Sequence, residues 1–121
     1  MNIAPKYFDI IKQGMSLTTV GGGTASAAFN GFPMKTSGKT GSATFSSEQD
    51  QYGRTSFSWY VGFAPSDNPQ IAVTVVIFDG GHGGSDAPIA RSVYEAYFKD
   101  ELQKQYNYTP SGSVTQGAAK D

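Results

Sequence analysis

The stretch Ser37-Gly38-Lys39-Thr40-Gly41-Ser42-Ala43 gathers a cation, hydroxyls and two glycines on a few residues of chain. In an extended conformation Thr40 and Ser42, two apart, project their side chains to the same side. Lys39 supplies a fixed positive charge. Gly41 has no side chain, so the backbone of a ligand can lie flat against the strand there. Such a set can grip a substrate carboxylate beside a strand edge. Taken alone, the same residues also fit a solvated strand lysine, ordinary strand hydroxyls and a bulge glycine.

The flanking sequence separates these readings. Downstream comes Ser58-Trp59-Tyr60-Val61-Gly62-Phe63-Ala64-Pro65-Ser66-Asp67-Asn68-Pro69, then Ile71-Ala72-Val73-Thr74-Val75-Val76-Ile77. Next is Gly80-Gly81-His82-Gly83-Gly84-Ser85-Asp86-Ala87-Pro88-Ile89-Ala90, and upstream lies Gly22-Gly23-Thr24-Ala25. In this order and spacing, over about residues 5–99, the chain resembles the last part of the transpeptidase domain of bacterial penicillin-binding proteins, the class B enzymes above all. Lys39-Thr40-Gly41 matches the Lys-Thr-Gly triplet that this superfamily shares with class A β-lactamases.

The resemblance implies a function and a set of roles. The family cross-links peptidoglycan stem peptides through a serine acyl-enzyme, and β-lactams acylate the same serine. Lys39 would raise the local positive potential, attract the substrate carboxylate and help proton movement at the serine. Thr40 and Ser42 would hydrogen-bond the carboxylate of a stem peptide or a β-lactam. The backbone N–H of Ser42 would be one oxyanion donor, and Gly41 would admit the substrate. No serine is followed three places on by lysine, so the family's nucleophile motif has no counterpart. Its Ser-x-Asn motif is likewise expected upstream, outside this sequence. Residues 1–105 then read as the C-terminal portion of a transpeptidase domain, inactive alone. Its partners would be the rest of that domain, the stem peptide and β-lactams, on the extracytoplasmic face of a bacterial membrane. Two alternatives are a serine β-lactamase-type hydrolase and a non-catalytic sensor or interaction domain of the same fold.

Composition narrows the classes. Apolar residues make up 38%, and 15 glycines stand among many serines. The formal net charge is −1 with no basic block, which argues against nucleic acid as a partner. Zero cysteines remove disulfides and thiolate metal sites. No metal or cofactor is expected. No apolar run approaches the length that spans a membrane, and residues 1–5 lack the basic and apolar regions of a leader.

Periodicity predicts the elements that position these residues. Residues 5–17 read as a helix, with Pro5 at its first position and Phe8, Ile11 and Met15 recurring at helical spacing. A short helical turn at 24–29 and a strand over 34–43 follow, then a polar loop at 46–54. Residues 57–64 alternate, which puts Phe57, Trp59, Val61 and Phe63 on one face and makes Trp59 a core residue. Residues 71–78 are apolar on both faces apart from Thr74, which predicts a strand covered on both sides. The short turn between these strands implies antiparallel pairing. Ser85 suits the N-cap of a last helix, with Asp86 and Pro88 in its first turn. That helix carries one stripe of Ile89, Val93 and Tyr97, and another of Ala90, Tyr94, Phe98 and Leu102. Residues 106–121 are too polar to fold and read as a disordered tail. The fold class is α+β: a three-stranded antiparallel sheet with the N- and C-terminal helices packed on it, both on one face, as part of a β-lactamase/transpeptidase-like fold. His82, among four glycines, reads as a loop residue, since one histidine without further ligands makes a poor metal site. Gly22-Gly23-Thr24-Ala25 lacks the lysine of a phosphate loop, and by resemblance is a structural turn behind the site.

Overall fold

The computed structural model describes residues 3–44, 56–81 and 84–110. The expected loop at 46–54, His82 and the last eleven residues lie outside them. The elements are α1 (Pro5–Ser16), α2 (Ser26–Phe29), β1 (Ser37–Thr44), β2 (Ser56–Ala64), β3 (Ile71–Phe78), α3 (Ala87–Tyr97) and α4 (Lys99–Tyr106). The strands form one antiparallel sheet in the order β1-β2-β3, so the expected α+β architecture is present. Lys39 pairs with Val61, Thr40 with Tyr60 and Gly41 with Trp59; Tyr60 in turn pairs with Val75 and Trp59 with Val76.

The covered face of the sheet is the one that carries Tyr60. Ser58, Tyr60, Gly62 and Ala64 of β2 are buried, joined by Gly38 and Thr40 of β1 and Val73 of β3. Helix α3 lies across β3 and β2 and closes this face with Ala87, Ala90 and Tyr94. Phe98 and Leu102 extend the same stripe through the break at Phe98 into α4, while Ile89, Val93 and Tyr97 stay exposed. Phe29 of α2 stacks on Tyr60 at 6.0 Å between ring centroids and stands 6.1 Å from the ring of Tyr94. Burial of side chains such as Leu102, Met34 and Phe29 contributes roughly 1.5–3 kcal/mol each.

Trp59 is not in the core. It is 42% exposed, as is Val61 at 45%, and Phe78 at the end of β3 is more exposed still. The alternation expected in β2 is present, but the smaller side chains are inside. They let α3 approach closely, and Tyr60 fills the space they leave. For the same reason β3 is covered on one side only: Val73 is buried while Ala72 and Thr74 face outward. The two end helices also share the sheet unequally. Helix α3 covers the Tyr60 face, whereas α1 meets β1 and buries none of its own residues.

The described residues run past 105, to 110. Tyr106 closes α4, and Tyr108 packs on Phe32 at 6.0 Å in an edge-on arrangement. Arg91 ties this segment down. Its Nη1 donates to the carbonyls of Ala28 and Asn30 at 2.8 and 2.9 Å, satisfying carbonyls left open at the end of α2. Its Nε donates to Glu95 at 2.9 Å and its Nη2 to the Tyr108 hydroxyl, which itself donates to Glu95 at 2.6 Å.

Burial pushes the Tyr60 hydroxyl from 10.0 up to about 12, with the nearby Asp86 charge acting in the same direction. Burial, and then Tyr60 itself, push Tyr94 up as well. A raised folded-state value means that the neutral hydroxyl contributes stability fully present below the unfolded value. That contribution is lost as pH rises through the folded value. Stability should therefore hold to near pH 10 and fall between pH 10 and about 12. Circular dichroism and tyrosinate absorbance, followed together, should show late tyrosinate formation coincident with loss of structure. Complete ionisation near pH 10 in an intact fold would show that these hydroxyls are open to water.

Candidate active site

Strand β1 is an edge of the three-stranded sheet, so among the described residues one side of its backbone pairs with no strand. Lys39 is exposed and turned to the face shared with Val61 and Trp59, and its Nζ donates to the carbonyl of Thr40. Thr40 points the other way, toward the covered face, and is 8% exposed. Its Oγ1 lies 2.8 Å from the Oγ1 of Thr24. Ser42 shares the side of Thr40, as its two-residue spacing requires, and is exposed opposite Ser58.

The segment 17–24 runs alongside the open edge of β1. Thr19 Oγ1 donates to the carbonyl of Thr36 at 2.9 Å, and Thr24 reaches Thr40 four residues on. Between this segment, the end of α1 and the strand lies a cleft of about 550 Å³, lined by both Lys39 and Thr40 as well as Leu17, Thr18 and Thr24. Gly41 and Ser42 lie beyond its lining. Lys39, Thr40 and Thr24 are thus brought together, with the cation on one side of the strand and the hydroxyls on the other.

Glycines set the approach distances. A methyl group at Gly38 would stand 2.6 Å from the Tyr60 ring, and one at Gly62 2.7 Å from the Ser37 carbonyl. Neither position has room. At Gly41 the added carbon would sit 3.4 Å from Trp59 Cβ, an ordinary contact. Among the described residues nothing demands glycine at position 41.

Sequence reasoning missed Thr24 and Asp86. Asp86 is fully buried at the start of α3, but it does not cap the helix with its side chain. Its Oδ1 reaches back and accepts the Gly84 N–H at 3.2 Å, while the expected cap, Ser85, donates to the carbonyl of Gly80 at 3.0 Å. This holds Gly84 against the site: a methyl group there would meet the Thr24 carbonyl at 3.0 Å and Thr40 Cγ2 at 4.0 Å. The available signal was the glycine spacing around Thr24 and Ser85. A triplet of Ser-x-Asn form does occur in the chain, Ser66-Asp67-Asn68. It forms part of the β2–β3 turn, which follows a cis peptide at Ala64–Pro65. Ser66 is buried, bonded to Ser37 Oγ at 2.6 Å, with its N–H on the Lys35 carbonyl at 2.8 Å. It ties the turn to the start of β1 and has no place at the Lys39 cleft.

The penicillin binding protein transpeptidase domain family matches residues 1–95. The chain is 30% identical over 112 residues to the peptidoglycan D,D-transpeptidase MrdA of Haemophilus influenzae, covering 84% of this chain and 17% of that protein. It is 37% identical over 105 residues to penicillin-binding protein 2B of Streptococcus pneumoniae, covering 82% of this chain and 15% of that protein. Among solved structures, Pseudomonas aeruginosa PBP2 in complex with WCK 5153 superposes with a TM-score of 0.68 at 31% identity, over 84% of this chain and 22% of that one. The chain belongs to the penicillin-binding protein transpeptidase domain family, and spans less than a fifth of the length of these curated relatives.

The glycine geometry yields a direct comparison. Gly38→Ala should lower stability by about 1–3 kcal/mol, because Tyr60 has nowhere to move. Gly41→Ala should leave thermal melting nearly unchanged. Denaturant unfolding of both variants checks this; equal destabilisation would mean that Gly41 is held by packing rather than left open for a ligand.

Proposed function

We propose that this segment supplies the carboxylate-binding wall of the active site of a serine D,D-transpeptidase that cross-links peptidoglycan. The nucleophilic serine is carried outside these residues. The observation that carries the reading is Lys39-Thr40-Gly41 on an open edge strand, with Lys39 exposed at a cleft, in a chain of this family.

In the whole enzyme the serine oxygen attacks the penultimate D-Ala carbonyl of a stem peptide. The C–N bond breaks, the terminal D-Ala leaves with a proton on its nitrogen, and an acyl-ester forms. An amine of a second stem peptide then attacks the ester and releases the serine. A β-lactam opens its ring amide on the same oxygen. Lys39 holds a positive potential at the cleft, attracts the carboxylate and helps proton movement at the serine. The hydroxyls of Thr40 and Ser42 bond that carboxylate. The Ser42 N–H is one oxyanion donor and the nucleophile's own N–H the other, each worth about 10²–10³ in rate. Gly41 leaves the strand flat for the substrate.

The uncovered apolar surface supports an assembly with the rest of such a domain. Phe8, Ile10 and Ile11 of α1 and Trp59, Val61 and Phe78 of the sheet are all exposed, and a neighbouring layer of such a domain would cover them. The site then belongs on the extracytoplasmic face of the bacterial membrane, where peptidoglycan is cross-linked.

Two measurements test the reading. In the full-length protein, Lys39→Ala should slow acylation by a labelled penicillin by tenfold or more at unchanged melting temperature, since a charge-assisted bond in a water-poor cleft exceeds the roughly 0–1 kcal/mol of an exposed ion pair. Lys39→Arg should rescue only in part, because its charge is spread over a planar fork. Acylation near the wild-type rate in Lys39→Ala would reduce Lys39 to a solvated strand residue. The 121-residue chain alone, incubated with the same penicillin, should show no covalent adduct by intact mass. A stoichiometric adduct would place the nucleophile within it and overturn the division of labour proposed here.

A further inference from the structure

We propose that Thr24 is a positioning residue for Thr40: it donates its hydroxyl proton to Thr40, and so leaves the Thr40 proton directed at the substrate carboxylate. This rests on the transpeptidase reading above and deepens it at the same cleft. The two oxygens stand 2.8 Å apart, the normal length of a hydroxyl–hydroxyl bond, and either atom can donate.

The direction of that bond decides what Thr40 can do. A hydroxyl has one proton and two lone pairs. If Thr40 donates to Thr24, its proton is used, and it presents only lone pairs to an incoming anion. If Thr24 donates to Thr40, the Thr40 proton is available, and a carboxylate offers only acceptors. A carboxylate in a cleft shared with Lys39 therefore selects the second direction. The accepted bond also polarises the Thr40 O–H and strengthens the bond it makes next.

Thr24 is held firmly enough for this task. The Gly23 N–H donates to the Val20 carbonyl at 2.8 Å, and the Ala25 N–H donates to the Thr18 carbonyl at 2.9 Å. Gly22 takes φ +86°, and any side chain at Gly23 would run into the carbonyls of Leu17 and Thr18. From behind, Gly84 abuts the Thr24 carbonyl, held there by Asp86. The residue itself is exposed, so its hydroxyl contributes little to packing.

The test is carried out in the full-length protein with Thr24→Val and Thr24→Ser, using a labelled penicillin and its methyl ester, which lacks the anionic carboxylate. Each variant's acylation rate is compared with wild type for the same compound. Thr24→Val should slow acylation by the acid by roughly tenfold, the effect of weakening a hydrogen bond to a charged group, and change the ester rate less than about twofold. Thr24→Ser, which keeps the donor, should restore the acid rate. In a Thr40→Val background, Thr24→Val should add no further loss. Equal slowing of acid and ester, an acid rate within about twofold of wild type, or full additivity with Thr40→Val would each overturn the proposal; thermal melting of each variant identifies a general loss of fold. If the wild-type protein is not acylated by either compound, the transpeptidase reading itself fails, a result distinct from all of these.

Discussion

Gly38 and Gly62 face one another across β1 and β2, and the ring of Tyr60 lies over the space their missing side chains leave. The arrangement can be made in one register only. A slip of one residue would turn Tyr60 to the open face and bring Trp59 inside, where its larger indole would meet Phe29 and α3. With Tyr60 kept inside, a slip of β1 by one residue would instead exchange Lys39 for Thr40 at the covered face. The packing of one aromatic ring against two glycines therefore decides that the cation stands outward and the threonine hydroxyl inward. The chemistry of the edge strand follows from a core constraint two residues away.

A second constraint comes from the far end of the chain. Asp86 gives up the usual role of a residue at a helix start and bonds backward to Gly84, while Ser85 bonds to Gly80. The turn before α3 is thereby folded against Thr24 and Thr40. Arg91, one turn further on, fixes α3 to the end of α2 and to Tyr108. Since α2 follows directly on the turn that carries Thr24, one helix braces the site from two directions. Segments separated by some sixty residues share the work, as the Arg91–Ala28 bond illustrates.

Elements were legible in the sequence because each follows a local rule. The period of α3, the alternation of β2 and the proline-rich turn need no tertiary knowledge. The Lys39 strand was legible too, through its hydroxyl and glycine spacing. What periodicity does not give is which of two alternating faces is covered. Phe57, Trp59, Val61 and Phe63 are the more apolar set, yet the set with Ser58, Tyr60, Gly62 and Ala64 is inside, because a close helix rewards small residues beside one large ring. Thr24 was hidden for another reason: its partner lies 16 residues away, and no period connects them. Ser66-Asp67-Asn68 shows the converse, a triplet with the form of a motif whose serine is buried in a turn.

The exposed apolar face and the exposed lysine belong to one physical argument. Lys39, Val61, Trp59 and, beyond them, Thr74 and Val76 share a surface on which the lysine is the only cation along β1 and β2 among the described residues. Open to water, its charge is heavily screened, and its ammonium folds back onto the neighbouring Thr40 carbonyl. A layer laid over Trp59 and Val61 would exclude that water and lower the effective dielectric constant around Nζ. The attraction of Lys39 for an anion would rise severalfold without any movement of the strand. The hydroxyls of Thr24 and Thr40 bond to each other on the opposite side of the strand, beside the Gly84 turn. The arrangement of the two hydroxyls is thus fixed within this chain, while the strength of the field from Lys39 depends on what covers the face beside it.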